Sequence, residues 1–339
     1  MLAVVLVGGL GTRLRPLTET IPKQLLPVAG VAMIERVLAQ LAPHGVDRAV
    51  LSMGYLPDPF VDAYPSKRIG GVDVSFAIES HPLDTAGAIR YAASEGGAEA
   101  TFLAVNGDVL TDLDVSALVA LHRARGGEAT IHLTPVPDPS RYGVVVTDGD
   151  GRVLEFVEKP PAGAAPSNNV NAGTYVLEPS FLGLVAPDVP VSIERAIFPA
   201  MVERGSLFAL LDESYWLDAG TPPSYLKANT DVLDGVREMA VPGDRVGSSL
   251  VLPGARVAAT ATVERSVLSP GVVVEEGAVV RGAVVLDGAR IESGATVADS
   301  VVGPRAVVGA GSILVGNCLV AHGARIPDGA RLEGVPVAS

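Results

Sequence analysis

Apolar and polar positions in the first two-thirds of the chain alternate between short aliphatic runs and longer mixed segments. The run Leu2–Val7 is continuous and ends at Gly8-Gly9, which is typical of a strand buried on both faces. Further strands are predicted at Ala49–Leu51, Val72–Ile78 and Thr101–Val105, and helices at Ile34–Leu41 and Leu113–Arg123. This alternation predicts an α/β domain with a mostly parallel sheet, whose ligands bind beyond the carboxyl ends of the strands.

The periodicity changes at about Val246, where helical spacing disappears and a repeat of 17 to 18 residues begins. Two aliphatic positions recur in each repeat, at Val257/Val263, Val274/Val280, Ile291/Val297, Val308/Leu314 and Ile326/Leu332. A third recurs at Val267, Val284, Val301 and Leu319. Three short strands per repeat, each with one inward aliphatic residue, predict a triangular β-helix of about five coils. A Val-rich β-sandwich is the alternative, although it has no reason to keep a fixed period.

Composition narrows the class of protein. The chain has 339 residues, 48% of them hydrophobic, and a formal net charge of −13, which argues against a nucleic-acid or anionic-membrane partner. Its single cysteine, Cys318, excludes an internal disulfide and a cysteine-based zinc cluster. No signal peptide or transmembrane segment is recognised, so we expect a cytoplasmic, soluble protein. The domains are predicted at residues 1–235 and 246–339, with a linker at 236–245.

A glycine-rich loop with basic residues follows the first strand directly. Gly8, Gly9 and Gly11 let the backbone approach a polyphosphate, and Arg13, Arg15 and Lys23 concentrate cations in an acidic chain. The spacing matches neither a Walker P-loop nor a dinucleotide fingerprint. A tight turn with a solvated basic patch is the structural alternative.

The segments Leu6–Thr18 and Pro22–Pro27 closely resemble the signature of the sugar-1-phosphate nucleotidylyltransferases. The resemblance continues in order through six further blocks, at Pro82–Gly87, Val105–Asp108, Tyr142–Val145, Phe156–Pro160, Asn171–Tyr175 and Tyr215–Pro222. It covers residues 1 to about 235, and three of the blocks look most like mannose-1-phosphate guanylyltransferases. The resemblance implies a Rossmann-like catalytic domain followed by a C-terminal left-handed β-helix of hexapeptide-type repeats.

The reaction that this resemblance implies is attack of a sugar-1-phosphate oxygen on the α-phosphorus of a nucleoside triphosphate, with release of pyrophosphate. Arg13, Lys23 and Asp108 would be the catalytic residues, with Lys23 on the α-phosphate side. The nucleotide would be bound by a larger set comprising Leu6, Gly8, Gly9, Gly11, Thr12, Arg13, Lys23, Thr85 and Gly87. Relatives often carry glycine at the position of Asp84, which leaves the contacts of this segment with the base open.

The same resemblance assigns the sugar phosphate and the metal. Sugar-phosphate binding would involve Gly107, Gly143, Glu158, Lys159 and Asn171. Asp108 and Asp218 would bind Mg²⁺, because carboxylate oxygens are the hard ligands that this ion prefers. A lone Asp after a strand is also a common turn former, and Glu158-Lys159 could be an exposed ion pair.

The reaction that the resemblance favours converts GTP and mannose-1-phosphate to GDP-mannose. One alternative is a different pair, such as dTTP, UTP or ATP with glucose-1-phosphate. The other is a non-catalytic regulatory paralogue that binds nucleotide sugars. We expect a homo-oligomer assembled through the β-helix. Trp216 could stack on a ligand or serve as a buried anchor, and a catalytic role for His322 has little support.

Overall fold

The computed structural model describes residues 1–338, which divide into two compact units. The first unit comprises Met1–Gly9 and Ile34–Trp216, and the second comprises Leu10–Met33 and the chain from Leu217 onward. The glycine-rich loop is therefore shared between the units, with its first two glycines in one and Gly11 in the other. The domain limits expected from the sequence stay a prediction.

The strands before the β-helix are β1 (Leu2–Leu6), β2 (Pro27–Val28), β3 (Val31–Ala32), β4 (Arg48–Met53), β5 (Arg68–Ile69), β6 (Val72–Ile78), β7 (Phe102–Asn106), β8 (Val109–Thr111), β9 (Ala129–Pro135), β10 (Gly143–Thr147), β11 (Val153–Glu158), β12 (Asn169–Leu177), β13 (Leu207–Leu211) and β14 (Trp216–Asp218). The α-helices are α1 (Met33–Leu41), α2 (Pro57–Ala63), α3 (Asp84–Glu95), α4 (Val115–Arg125), α5 (Phe198–Arg204) and α6 (Pro222–Leu233).

Ten of these strands form the sheet of the first unit, in the order β11-β10-β12-β7-β1-β4-β6-β5, with β9 paired to β12 and β13 paired to β9. The central strands β7, β1, β4 and β6 are parallel, as the alternation of strands and helices predicts. Strands β10, β11 and β12 pair antiparallel beside them. The four predicted strands are confirmed with small shifts of their ends. The α/β architecture is confirmed as well.

Helices cover this sheet and close its core. Helix α3 packs against β1 and β4, and α4 packs against β9. The bounds of α4 follow from local chemistry, because the Asp114 side chain accepts hydrogen bonds from two backbone amides and Gly126 ends the helix at φ 66°. Tyr175 lies edge-on to Phe198 at 5.2 Å, and both rings are fully buried. Burial of each ring stabilises the fold by roughly 1.5–3 kcal/mol.

The second unit contains the predicted β-helix. Its strands are β15 (Asp244–Val246), β16 (Ser249–Val251), β17 (Arg256–Val257), β18 (Thr262–Glu264), β19 (Val267–Leu268), β20 (Val273–Val274), β21 (Val279–Arg281), β22 (Val284–Val285), β23 (Arg290–Ile291), β24 (Thr296–Ala298), β25 (Val301–Val302), β26 (Val307–Val308), β27 (Ile313–Val315), β28 (Leu319–Val320), β29 (Arg325–Ile326), β30 (Arg331–Glu333) and β31 (Pro336–Val337). They form three stacked sheets, parallel except for the antiparallel pair β15–β16. The repeat is confirmed, since Val257 pairs with Val274 and Val274 with Ile291.

One detail of the repeat differs from the prediction. The third aliphatic positions do pair in register, as Val267 with Val284. The residue that joins the hydrophobic core of the β-helix, however, is the next one along, at Leu268, Val285, Val302 and Val320. Both residues of each strand on this side are buried, so hydrophobicity alone does not distinguish which of them faces inward. Cys318 is buried in the same core, consistent with a packing role.

The segment Leu10–Met33 is held within the second unit by helix α6. The Tyr225 hydroxyl donates to the Pro27 carbonyl at 2.6 Å, and Asn229 Oδ1 accepts from the Ala29 amide at 2.8 Å. Both helix residues are buried, so these hydrogen bonds fix the short hairpin of β2 and β3. Among residues 1–338, no helix is both long and apolar enough to cross a membrane.

Candidate active site

The parallel strands of the first unit bring the ends of β1 and β7 together. Leu6 pairs with Asn106, and the Leu6 carbonyl accepts a hydrogen bond from the Gly107 amide at 3.0 Å. Asp108 follows at once and is half-buried. The sequence-predicted residues Leu6, Gly8, Gly107 and Asp108 thus lie around two adjacent strand ends, where α/β proteins bind ligands.

Glycine is required at position 8 by a close approach of the backbone. A Cβ on Gly8 would lie 2.9 Å from the Gly54 amide nitrogen, which is too short for a real contact. Gly9 is exposed. The absence of a side chain lets two backbone segments meet beside the strand end.

A carboxylate that the sequence analysis missed, Glu79, lies at the same place. A Cβ on Gly8 would be 3.6 Å from Glu79 Oε1, which accepts a hydrogen bond from Ser52 Oγ at 2.9 Å. Glu79 Oε2 accepts from the Leu83 amide at 3.1 Å, at the start of the segment expected to contact the base. Its position directly after the predicted strand Val72–Ile78 is the signal that could have identified it.

In the second unit, Gly11 turns the signature loop. Its φ of 61° is left-handed, and its carbonyl accepts from the Leu14 amide and from Thr18 Oγ1, both at 2.9 Å. A short 3₁₀ turn, Thr12–Leu14, then presents Thr12 and Arg13 at the surface. A second 3₁₀ turn, Lys23–Leu25, begins at the half-buried Lys23.

Arg13 and Asp218 are brought together by the fold of the second unit. Arg13 Nη2 lies 3.9 Å from Asp218 Oδ2, with the Arg13 side chain 58% exposed. Asp218 Oδ1 accepts from the Gly220 amide at 2.8 Å, which orients the carboxylate. An exposed pair at this distance contributes little stability, so the arrangement leaves the cation available to another anion.

The donor chemistry of the two predicted metal ligands fits Mg²⁺. Asp108 and Asp218 both offer carboxylate oxygens, and Mg²⁺ usually takes one or two carboxylates together with water and phosphate oxygens. Within residues 1–338, no group of three or more His, Cys, Asp and Glu side chains could hold a metal by itself. Mg²⁺ held by either aspartate would complete its coordination with oxygens from water and phosphate.

The predicted sugar-phosphate residues come together on the antiparallel strands. Gly143 pairs directly with Glu158, and the Lys159 amide donates to the Tyr142 carbonyl at 3.0 Å. Strand β10 also pairs with β12 at Val144 and Val170, so Asn171 lies on the neighbouring strand. Lys159 Nζ lies 3.1 Å from Glu158 Oε1 and is mostly exposed. An acceptor, a cation and an amide are thus grouped.

The shape of this group depends on an irregularity in β12 after Asn171. Asn171 Nδ2 donates to the Tyr175 hydroxyl at 2.9 Å, and its Oδ1 accepts from the Gly173 amide at 3.2 Å. Burial raises the pKa of Tyr175, which keeps its hydroxyl neutral. These bonds fix the orientation of the Asn171 amide.

Trp216, whose role the sequence leaves open, is half-buried and makes two contacts within the first unit. Its indole Nε1 donates to the Ala172 carbonyl at 2.9 Å, and its ring meets Tyr142 edge-on at 5.5 Å. It therefore connects the irregular part of β12 with the residue that precedes Gly143. The hydrogen bond and the ring contact give Trp216 a positioning role in this group.

Thr85 and Gly87 contact another part of the first unit. Thr85 Oγ1 donates to Glu194 at 2.7 Å and accepts from the Ile193 amide at 2.8 Å. A Cβ on Gly87 would lie 2.9 Å from the Val189 carbonyl oxygen. Asp84 has a left-handed φ of 56°, a conformation that glycine adopts more easily.

Comparisons with known proteins agree with this geometry. The family model described as "Nucleotidyl transferase" matches residues 2–235, and the model described as "GMPPB C-terminal domain" matches residues 245–339. A mannose-1-phosphate guanylyltransferase of Mycobacterium tuberculosis is 36% identical over 284 residues, covering 83% of this chain and 75% of that protein. A mannose-1-phosphate guanyltransferase of Schizosaccharomyces pombe is 38% identical over 267 residues, covering 76% of this chain and 73% of the relative.

Among solved structures, HddC from Yersinia pseudotuberculosis is similar, with a TM-score of 0.57 and 31% identity. The similarity covers 67% of this chain and 97% of HddC. The family-model match, the relatives and the fold lead to one conclusion: this chain belongs to the nucleotidyl transferase family and is a nucleotidyltransferase.

Proposed function

We propose that this enzyme transfers a guanylyl group from GTP to mannose-1-phosphate, giving GDP-mannose and pyrophosphate. The observation that carries the proposal is the grouping of Gly143, Glu158, Lys159 and Asn171 on neighbouring strands. It combines an acceptor for sugar hydroxyls with a cation for the phosphate, as a phosphorylated sugar requires. The names of the two relatives described above support the choice of GTP and mannose-1-phosphate.

The first part of the mechanism is placement of the sugar phosphate. Glu158 accepts hydrogen bonds from sugar hydroxyls, and the Lys159 ammonium binds the phosphate. Trp216 holds the strand that carries Asn171, and Tyr175 orients the Asn171 amide, so the amide meets the ligand without reorganising. The phosphate oxygen is already a good enough nucleophile, so the reaction needs mainly the correct orientation of this oxygen toward the α-phosphorus. Placing the sugar phosphate therefore lowers the activation barrier.

The second part is binding of the triphosphate. The backbone of Gly8, Gly9, Gly11 and Thr12 approaches the phosphates, and Arg13 neutralises charge on the leaving pyrophosphate. Lys23 stabilises the charge that builds on the α-phosphate in the transition state. The phosphate oxygen of the sugar forms a bond to the α-phosphorus while the bond to the β-phosphate oxygen breaks, so no proton transfer is required.

Asp108 and Asp218 are proposed as the residues that hold Mg²⁺. When bound, the ion would neutralise phosphate charge and orient the triphosphate. The hydrogen bond from the Gly220 amide to Asp218 Oδ1 fixes the direction of the carboxylate, so its approach to a metal needs little reorganisation. The metal and the pairing of the two aspartates stay predictions.

The position of Glu79 favours guanine over the other bases as the base that this enzyme binds. Guanine presents an N–H and an amino group on its Watson–Crick edge, and a carboxylate accepts from both. The carboxylate lies beside Gly8 and the start of the segment expected to contact the base. Glu79→Gln would replace one acceptor by a donor, so we expect the preference for GTP over ATP to fall about tenfold or more.

The proposal is tested by pyrophosphate release from GTP, dTTP, UTP, CTP and ATP, each with mannose-1-phosphate and with glucose-1-phosphate. We expect the largest rate with GTP and mannose-1-phosphate, and loss of the signal in EDTA. A different best pair would retain nucleotidyl transfer and overturn the substrate assignment. Absence of turnover with every pair, together with tight binding of nucleotide sugar, would support a regulatory protein instead.

Two further features are proposals. We expect the enzyme to act in the cytoplasm, since both proposed substrates are soluble phosphorylated metabolites and the chain is acidic. We also expect self-association through the β-helix, because its repeated strands give a flat surface for a second copy. Sedimentation of the full-length protein tests the second expectation, and a monomer at all concentrations would contradict it.

A further inference from the structure

A cavity of about 520 Å³ lies within the second unit. One side is formed by the segment Thr20–Gly30, which follows the signature loop, and the other by a corner of the β-helix. The corner contributes Asp287, Arg305 and His322, together with Ser269. The cavity has a volume typical of small-molecule sites, which range from roughly 300 to 1,000 Å³.

This corner is built from equivalent positions of successive coils. The Gly288 amide donates to the Pro270 carbonyl at 2.9 Å, and the Arg305 amide donates to the Asp287 carbonyl at 2.8 Å. The Gly323 amide donates to the Pro304 carbonyl at 2.8 Å in the same way. Side chains that are 17 to 18 residues apart therefore stack in a column along one wall of the cavity.

Arg305 departs from the pattern of this column. The corresponding residues of other coils are glycines with left-handed φ values, namely Gly254 (85°), Gly271 (72°), Gly288 (67°) and Gly323 (68°). Arg305 also adopts a left-handed backbone, with φ 56°, which residues that have a Cβ rarely do. A residue kept in such a conformation often has a binding function. Arg305, the arginine that replaces glycine at this position, lines the wall of the cavity.

The charged side chains of this cavity are exposed and unpaired within residues 1–338. Among residues 1–338, the side chains of Arg305, His322 and Asp287 make no hydrogen bond or ion pair. Some other β-helix arginines are paired with carboxylates, as Arg281 is with Glu264 and Arg290 with Glu275. Ser269 Oγ is buried and has no hydrogen-bond partner in the described chain. The wall thus offers two cationic or donor groups, a carboxylate and an unsatisfied hydroxyl.

We propose that this cavity is a second binding site, distinct from the sugar-phosphate group of the first unit, and that it takes a phosphorylated sugar as a regulator. Arg305 and His322 bind the phosphate, since a guanidinium fork matches its oxygens. Asp287 and Ser269 bind the hydroxyl groups. A simple anion would leave the Asp287 carboxylate facing it unfavourably, so the chemistry selects a ligand with both a phosphate and hydroxyls.

The site is coupled to catalysis through the segment that forms its other wall. Leu25 and Leu26 line the cavity, and Lys23 belongs to the same 3₁₀ turn as Leu25. The Leu26 amide donates to the Lys23 carbonyl at 3.1 Å. A ligand that contacts Leu25 and Leu26 changes the position of Lys23, and this coupling rests on the proposed function of Lys23 at the α-phosphate.

Binding is tested by calorimetry on the full-length protein with glucose 6-phosphate, mannose 6-phosphate and inorganic phosphate as probes. Arg305→Gly restores the residue type of the other coils and removes the cation, whereas Arg331→Ala removes an exposed arginine elsewhere in the β-helix. We expect a hexose 6-phosphate to bind more tightly than inorganic phosphate. Its dissociation constant should rise about tenfold in Arg305→Gly and stay unchanged in Arg331→Ala. His322→Gln should weaken binding as well.

Three results would overturn this site: equal affinity in Arg305→Gly and the wild type, no binding of any probe up to about 10 mM, or binding that saturating GTP abolishes. Turnover is measured separately. We expect the hexose phosphate to change kcat or the KM for GTP at least twofold in the wild type and not in Arg305→Gly. Binding without a change in turnover would contradict the regulatory role. An enzyme without any turnover would refute the proposed function while the binding data still decided the site.

Discussion

Gly143 lies directly opposite Glu158 in the antiparallel pair of β10 and β11, with no room for a side chain between them. A Cβ on Gly143 would lie 2.6 Å from Phe156 Cζ and 3.0 Å from Glu158 Oε2. Two residues 15 positions apart in sequence thus determine the shape of the proposed sugar-phosphate pocket.

Gly143→Ala should therefore displace Phe156 and Glu158. We expect the KM for mannose-1-phosphate to rise about tenfold, because a misplaced acceptor weakens sugar binding. The KM for GTP should change little. Gly149→Ala is the matched control, since a Cβ at Gly149 would have no atom within 4 Å. Equal effects of the two variants, measured by steady-state kinetics, would contradict the placement of Glu158.

Asp108→Asn and Asp218→Asn should each lower kcat by roughly 100-fold or more while leaving the fold intact. In Asp218→Asn the amide oxygen still accepts from Gly220, so this hydrogen bond is kept while the negative charge is lost. Asp150→Asn, which removes an exposed carboxylate, is the control. Rates in Mg²⁺ titrations report the loss, and circular dichroism reports the fold. Near-wild-type rates in either variant would exclude that aspartate as a metal ligand.

Trp216→Phe removes the hydrogen bond to the Ala172 carbonyl and keeps an aromatic ring against Tyr142. Loss of this bond loosens the strand that carries Asn171, so kcat/KM for the sugar phosphate should fall about fivefold. Trp216 is also the single tryptophan of the chain. Its fluorescence in the wild type should change on addition of mannose-1-phosphate, and a constant emission at saturation would argue against a position beside the pocket.

His132 should make the protein sensitive to acid. It is buried on β9, both ring nitrogens lack a hydrogen-bond partner in the described chain, and burial lowers its pKa from 6.5 to about 4 despite the nearby Asp212. Below pH 6.5 the unfolded chain binds a proton at this ring that the native state does not bind until about pH 4. The free energy of unfolding should therefore fall by about 2 kcal/mol between pH 7 and pH 5 through this residue.

Urea unfolding of His132→Leu at both pH values checks this effect. The variant should lose about 2 kcal/mol less than the wild type on acidification, because a leucine side chain cannot bind a proton. His81→Gln, which removes an exposed histidine, should behave as the wild type does. An identical loss of stability in His132→Leu and the wild type would show that the ring is not buried in its neutral form.

The sequence is most informative where a periodic pattern records the environment of each residue. The aliphatic run Leu2–Val7 predicts a strand buried on both faces, and the 17-residue repeat predicts that Val257 stacks on Val274. The structure confirms both predictions. Motif resemblance supplies the candidate site. It does not reveal that Gly143 and Glu158 are direct neighbours, because cross-strand register depends on the whole sheet.

Other features depend on tertiary contacts that no local pattern records. Glu79 follows a predicted strand in sequence, but its contacts with Ser52 and its proximity to Gly8 are seen only in the structure. On the third side of the β-helix, the sequence does not indicate which of two adjacent residues points into the core. Val267 and Leu268 are both apolar, and both are buried. Arg305 becomes notable only when its left-handed backbone is compared with the glycines of neighbouring coils.

The central claim is transfer of the guanylyl group, which carries the α-phosphorus of GTP, and isotope placement tests it most directly. The enzyme is supplied with mannose-1-phosphate, Mg²⁺ and GTP labelled on either the α- or the γ-phosphorus, and the products are separated by chromatography. Attack at the α-phosphorus predicts that the α label appears in GDP-mannose and the γ label in pyrophosphate. A γ label in a phosphorylated sugar, or in orthophosphate, would contradict guanylyl transfer.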